Sequence, residues 1–206
     1  RQNYVLVGGC KKTYLNMNWQ TIKLGEVISR KKDLVEILDS SIYKRITIKM
    51  HNQGIIPRDV LKGSEIGTKN QFIVHAGQLL LSKIDARNGA FGIIPEDADG
   101  GIITGNFWAY EIDKDRLDSK FFFYLTHSNT FLEFCIKSSQ GATNRRYLQE
   151  DLFLNQEIKL PPLPEQANIV TKIDKVVEII DETAKTHQIS KALFHSVLTK
   201  IFTEGL

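Results

Sequence analysis

The chain has 206 residues, 42% of them hydrophobic and 25% charged, with a formal charge of +3, the profile of one globular domain with an appendage. No apolar run nears the roughly 20 residues that cross a bilayer, and the first residues lack the apolar block of a secretory signal, so the expected compartment is the cytoplasm, with no membrane partner. Cys10 and Cys135 stand far apart without CxxC or Cys/His spacing, which argues against a disulfide framework or zinc site and leaves two free thiols.

Residues 1–18 are expected to be an N-terminal tail or linker. A domain spanning 19–160 starts at Trp19-Gln-Thr-Ile-Lys-Leu-Gly, a short apolar alternation stopped by Gly25. From Arg45 to Met50 the chain alternates Arg45, Thr47 and Lys49 with Ile46, Ile48 and Met50, the pattern of a half-buried strand with a basic outer face. That face suits either ordinary solvated surface or phosphate contact. Further strands are expected over 71–75, 78–84, 90–94 and 107–112, short runs rich in Ile, Leu, Val and Phe that Gly, Asn, Pro and Asp separate. Asp118 then suits a helix N-cap, and Phe122, Leu125, Leu132, Cys135 and Ile136 recur at helical spacing. Small and polar residues interrupt from Ser138 to Tyr147, and a last strand over 156–160 runs into Pro161-Pro-Leu-Pro.

Residues 161–206 form the proline junction and a helix. Pro164 fits a first helical turn, and Glu165 fits the positive end of the helix dipole. One apolar stripe holds Ile169, Ile173, Val176, Val177, Ile180 and Ala184; a second holds Ile189, Leu193, Phe194, Val197, Leu198, Ile201 and Phe202. Unbroken, ~40 residues at about 1.5 Å each span roughly 60 Å. Such a rod outruns a small domain, so Ile173, Val177, Ile180, Phe194, Leu198 and Ile201 are expected to meet another helix, for part of the first stripe the chain's own domain and for the rest a partner. From Glu165 to Glu204 five lysines face six acids, a balance of −1, which leaves +4 for the remainder of the chain.

Two stretches suit nucleic acid. The segment 134–149 holds Lys137, Arg145 and Arg146 without an acid, while Gln140, Thr143, Asn144 and Tyr147 supply hydrogen-bonding groups beside Gly141. Arginine binds guanine edges bidentately, Asn and Gln read adenine, and hydroxyls hold phosphates; the alternative is a solvated basic loop. The segment 82–89 runs from a strand into a turn carrying Lys83, Arg87 and Asn88. Its Asp85 is one carboxylate, whereas metal-dependent cleavage needs several converging on an ion, so a structural Asp85–Arg87 or Asp85–Lys83 pair is the stronger reading. His51, His75, His127, His187 and His195 show no metal-ligand spacing. No GxxxxGK[ST] loop occurs, and the only Pro-Pro is flanked by leucines and not by the residues of a methyltransferase catalytic motif. Catalytic residues, metal and cofactors are therefore expected to be none.

The junction Leu160-Pro-Pro-Leu-Pro-Glu-Gln ahead of a long amphipathic helix resembles that of the specificity subunits of type I restriction-modification enzymes. Trp19 followed by Leu24-Gly25-Glu26, then Gly77-Gln78-Leu79-Leu80-Leu81-Ser82 before Gly89, and Gly141-Ala142-Thr143 before the prolines, follow in the same order. The resemblance implies an α+β fold: a β-rich DNA target-recognition domain followed by a long C-terminal helix that pairs as an antiparallel coiled coil. It implies a non-catalytic subunit that reads half of a bipartite double-stranded DNA target and directs methyltransferase subunits, and in complete systems a motor-nuclease subunit, to it. Together with the reading of the two stretches above, it favours DNA contact by Lys83, Arg87, Asn88, Gln140, Thr143, Asn144, Arg145, Arg146 and Tyr147. One recognition domain and one spacer make half the usual pattern, either a fragment or a chain that pairs with a second copy as a homodimer, which predicts a palindromic bipartite target. The competing readings are an interaction scaffold and a stand-alone DNA-modifying enzyme domain of unfamiliar type.

Overall fold

The structure, a computed structural model, describes residues 6–7, 10–11, 19–141, 146–184 and 191–204. Leu6–Val7 (β1) and Cys10–Lys11 (β2) pair as a short antiparallel ribbon. There follow Gln20–Lys23 (β3), Ile28–Lys31 (β4), Asp33–Glu36 (β5), Ile42–Ile48 (β6), Ile55–Lys62 (β7) and Asn70–Val74 (β8). Leu79–Ser82 (β9), Phe91–Ile93 (β10), Gly101–Ile103 (β11) and Phe107–Ile112 (β12) complete the main strands. Next come Ser119–Thr126 (α1), Asn129–Lys137 (α2), Ser139–Gln140 (β13), Tyr147–Leu148 (β14), Glu150–Leu154 (α3) and Glu157–Leu160 (β15), and then the helices Leu163–Ala184 (α4) and Lys191–Glu204 (α5). A β-rich body followed by a long C-terminal helix and a shorter one is the observed architecture.

The period-2 rule explains how two sheets share the chain. A four-stranded sheet, β10-β9-β12-β4, lies beside a five-stranded one, β5-β8-β11-β6-β7. All four residues of β9 are buried because both its faces are covered. Leu79 and Leu81 join Trp108, Tyr110 and the helices in the larger core, while Leu80 joins Ala109, Ile46, Val74 and Ile103 in a second core. Ile102 turns to the far face of the five-stranded sheet, with Ile37 and Ile66. β6 extends two residues short of the expected alternation, so Met50 lies beyond the strand and is exposed. The turn that stops it carries positive φ at His51 and Asn52. The expected basic face of β6 is also partly neutralised: Arg45 donates from Nε and Nη2 to Asp59 on β7, each at 2.6 Å, and this fork holds the Asp59 carboxyl below the usual carboxylate range.

The helical layer starts as the sequence predicts. The Asp118 side chain accepts from the backbone N–H groups of Lys120 and Phe121 at the head of α1. Phe122, Leu125 and Cys135 are buried, and burial pushes the Cys135 thiol well above the usual thiol range, leaving it protonated and unreactive. Ile136, expected on the apolar face, is exposed.

The residues of the proline junction close the body. β15 zips antiparallel onto β3, from Glu157–Lys23 to Leu160–Gln20. Trp19 donates from Nε1 to Glu165 at 2.9 Å. Gln166, wholly buried, donates to the carbonyls of Arg116 and Pro161 and accepts from the Asp118 N–H, each at 2.8 Å. Gly25 sits where an added Cβ would lie 3.1 Å from the Leu154 side chain.

A single rod over the C-terminal stripes is excluded by two contacts. Gln166 in α4 and Phe202 in α5 both touch the first turn of α1, Gln166 at the Asp118 N–H and Phe202 ring-on-ring with Phe121 at 5.0 Å. A continuous helix would hold residues 166 and 202 about 54 Å apart. The chain therefore reverses, and α5 returns to pack on α1 and α2. Leu198 and Ile201, expected to need a partner chain, are buried in the same core as Ile173 of α4; Val177 and Phe194 pack at its margin. Leu193 and Ile179 remain exposed.

His127, at the C-terminal cap of α1, donates from Nδ1 to the Phe123 carbonyl at 2.8 Å. Burial lowers its pKa from the ordinary value, and His195 of α5 lowers it further. The unfolded chain binds this proton near pH 6.5 and the folded chain only at lower pH, so the contribution to stability is full above about 6.5 and is lost as pH falls through that value toward the folded pKa. Thermal melts between about pH 7 and about pH 5 are expected to show a falling Tm that His127→Gln flattens; the lowered carboxylates Asp59, Asp99 and Asp174 act only in more acid solution.

Candidate nucleic-acid interface

β9 ends at Ser82, whose Oγ accepts from the N–H groups of Ile84 and Asp85 and bends the chain into a turn. A 3-10 turn, Ala86–Asn88, follows and closes at Gly89 with φ +76°. The β6–β7 turn presses against it: the His51 N–H donates to the Asn88 carbonyl at 2.8 Å and the Asn52 N–H to that of Gly89 at 2.9 Å. The Asp85 carboxylate accepts from Asn88 Nδ2 at 3.2 Å, a partner beyond the expected Lys83 and Arg87.

The second stretch is the β13–β14 hairpin, paired Ser139 to Leu148 and Gln140 to Tyr147. It is docked onto the first: the Leu148 N–H donates to the Lys83 carbonyl at 2.8 Å, and the Gln149 N–H returns to the Ser138 carbonyl at 2.8 Å. The two candidate stretches, separate in sequence, therefore form one surface. Gln140, Arg146, Tyr147 and Asn88 are exposed on it, and Lys83 and Arg87 are half-buried. Thr143, Asn144 and Arg145 lie outside the described residues. Lys137, at the end of α2, meets Glu133 at 3.3 Å, so it is partly neutralised.

Beneath this surface lies a group that the sequence reading did not single out. The Lys83 ammonium lies 5.8 Å from the Trp108 ring centre and 5.9 Å from that of Tyr147. The Arg30 guanidinium lies 4.6 Å from Trp108 and 5.6 Å from Tyr110. Glu150, at the head of α3, accepts from Arg30 Nη1 at 3.0 Å and from the Tyr110 hydroxyl at 2.9 Å. Burial first, and the Glu150 charge second, push the Tyr110 hydroxyl well above the tyrosine range, so it stays a neutral donor. Arg30 and Glu150 are 120 residues apart, and no local pattern links them.

The sequence pattern of the family described as "Type I restriction modification DNA specificity domain" matches residues 16–191. Among solved structures, the chain is similar to the HsdS subunit from Thermoanaerobacter tengcongensis, with 20% identity, a TM-score of 0.69, and coverage of 84% of this chain and 45% of that one. It is also similar to a chain solved for the complex assembly and conformational transition of the type I R-M system (20% identity, TM-score 0.67, 82% and 44% covered). The type I restriction-modification S subunit from M. genitalium matches at 16% identity and TM-score 0.54, with 84% and 43% covered. The chain thus spans less than half the length of the solved chains it matches, and at these identities the likeness establishes the fold.

Gly89 couples the two turns under the surface. A Cβ there would lie 2.8 Å from the Asn52 backbone nitrogen, at a φ that favours glycine. Gly89→Ala is expected to cost roughly 1–3 kcal/mol in a denaturant titration, and to weaken DNA binding at a temperature where the variant is still folded.

Proposed function

The chain belongs to the family of type I restriction-modification DNA specificity domains, and from that membership we propose that residues 19–160 read one half of a bipartite double-stranded DNA target and direct methyltransferase subunits to it. The observation that carries this reading is the docking of the hairpin on the 82–89 turn through Leu148 and Lys83. It gathers Lys83, Arg87, Asn88, Gln140, Arg146 and Tyr147 on one surface; Thr143, Asn144 and Arg145 fall between Gln140 and Arg146 in the sequence. Arginines suit guanine edges, Gln and Asn suit adenine, and Lys83 with the hydroxyls suits the phosphates that set register. The domain supplies recognition, and chemistry is left to the subunits it directs, a motor-nuclease subunit among them in a restricting complex. The proposed compartment is the cytoplasm, where such complexes meet DNA; among the described residues no helix is long and apolar enough to cross a membrane.

A second recognition domain is needed for a bipartite target, and we propose that a second copy supplies it through the C-terminal helices. Leu198 and Ile201 are engaged in the chain's own core. Val177 and Phe194 lie at the margin of that core and Ile180 is half-buried, so the apolar surface left for a partner is their outer edge with the exposed Ile179 on α4 and Leu193 on α5.

Selection on randomised duplex DNA at one fixed salt concentration, with and without the methyltransferase partner, tests both parts. Enrichment of a bipartite palindrome is the expected result; one unpaired half-site would overturn the pairing alone, and binding without an enriched sequence would overturn recognition. Arg146→Ala is expected to cost about 1–3 kcal/mol on the enriched duplex and little on a scrambled one. An equal loss on both would make Arg146 a phosphate contact.

A further inference from the structure

We propose that Tyr110, Arg30, Trp108, Lys83 and Tyr147 form an alternating ladder of rings and cations in which Arg30 and Trp108 are positioning residues for sequence selectivity. The inference rests on the DNA-recognition reading and adds to it a determinant that no DNA-facing side chain supplies. Each cation of the ladder stands between two rings, Arg30 between Tyr110 and Trp108, and Lys83 between Trp108 and Tyr147. Among its rings, exposure rises from 0% at Tyr110 and 9% at Trp108 to 40% at Tyr147. Its inner end is fixed in the core and its outer end is on the recognition hairpin.

Three ties converge on the hairpin's return strand and the start of α3 that follows it. The Tyr147 ring meets Lys83, the Leu148 N–H meets the Lys83 carbonyl, and two residues on Glu150 grips Arg30 and Tyr110. Arg30 Nε is buried without a hydrogen-bond partner among the described residues, so the place of the guanidinium is set by the two rings and one carboxylate oxygen. A planar guanidinium can stack on an indole while its edge donates to a carboxylate in a fixed geometry; an ammonium is a compact point charge on a flexible stem and fixes neither ring nor carboxylate as firmly. A shift of Arg30 would therefore tilt Glu150 and with it the strand that carries Tyr147. Base-edge readout tolerates little displacement, whereas phosphate attraction falls off slowly with distance. Loosening the inner rungs should cost selectivity and spare non-specific affinity. At the outer end, a phosphate near Lys83 would draw its ammonium off the Trp108 face, and the indole would report that change.

The test uses the full chain, the duplex enriched by selection and a scrambled duplex of equal composition. Arg30→Lys is expected to lower the enriched-over-scrambled affinity ratio about tenfold, with affinity for scrambled DNA and the salt slope unchanged, because no DNA-facing cation is removed. Trp108→Phe, which keeps a smaller ring, is expected to lower the ratio in the same direction and by less; it decides the matter if Arg30→Lys does not fold. In a Trp19→Phe background, Trp108 emission is expected to change on adding the enriched duplex, and Lys83→Met to abolish the change. Wild-type ratios in the folded variants, or a silent Trp108, would overturn the ladder's role while leaving recognition intact. A wild-type chain that does not discriminate the two duplexes would overturn the recognition reading and this inference with it.

Discussion

The hydrogen bond from the Leu148 N–H to the Lys83 carbonyl is the constraint on which the proposed DNA-facing surface depends. A two-stranded ribbon with two residue pairs is at best marginal in water, so the β13–β14 hairpin cannot hold a conformation by its own ladder. It is held by what it docks on. The 82–89 turn is fixed by Ser82 Oγ, by the left-handed Gly89 and by the backbone bonds from His51 and Asn52. That turn offers a rigid carbonyl at the end of a fully buried strand, and the hairpin takes its register from it. Loops that recognise ligands work from rigid scaffolds, and here the scaffold is β9 and the turn that continues it.

The body that carries this surface is closed at the other end by a buried amide. Gln166 satisfies three backbone groups from three segments, the loop before α1, the cap of α1 and the proline junction. A buried polar side chain with every partner in place fixes geometry, because each alternative would strand a donor or acceptor away from water. The direction in which α4 leaves the body is set there. α4 and α5 then add Ile169, Ile173, Leu198 and Ile201 to the core that already holds Phe121 and Phe122. The C-terminal helices are therefore part of the folding unit as well as the proposed route to a partner.

What was legible in the sequence is what local chemistry decides. The strands β8, β9, β10 and β12, the Asp118 cap and the proline junction all stand where short-range pattern puts them. The junction motif itself acquires a physical meaning: Trp19, Glu165 and Gln166 are its ends tied together. Met50 is misplaced by the alternation because the strand gives way before His51 and Asn52, two non-glycine residues at positive φ, and the glycine of the connection, Gly54, comes only at its end. The return of α5 was invisible for a different reason. An apolar stripe looks the same whether its own domain or another chain covers it; the contact of Phe202 with Phe121 and the burial of Leu198 and Ile201 in the body's core tell the two apart. Arg30, Trp108, Tyr110 and Glu150 were missed because their association is made by sheet order and by the hairpin's return, not by spacing along the chain.

Hydrogen exchange of the full chain, free and bound to a duplex enriched by selection, tests most directly whether the docked pair of segments is the DNA-facing surface. The account predicts that added protection concentrates at residues 82–89 and 139–149. Protection confined to another face, such as the β6–β7 hairpin with its Arg45–Asp59 pair, would contradict it.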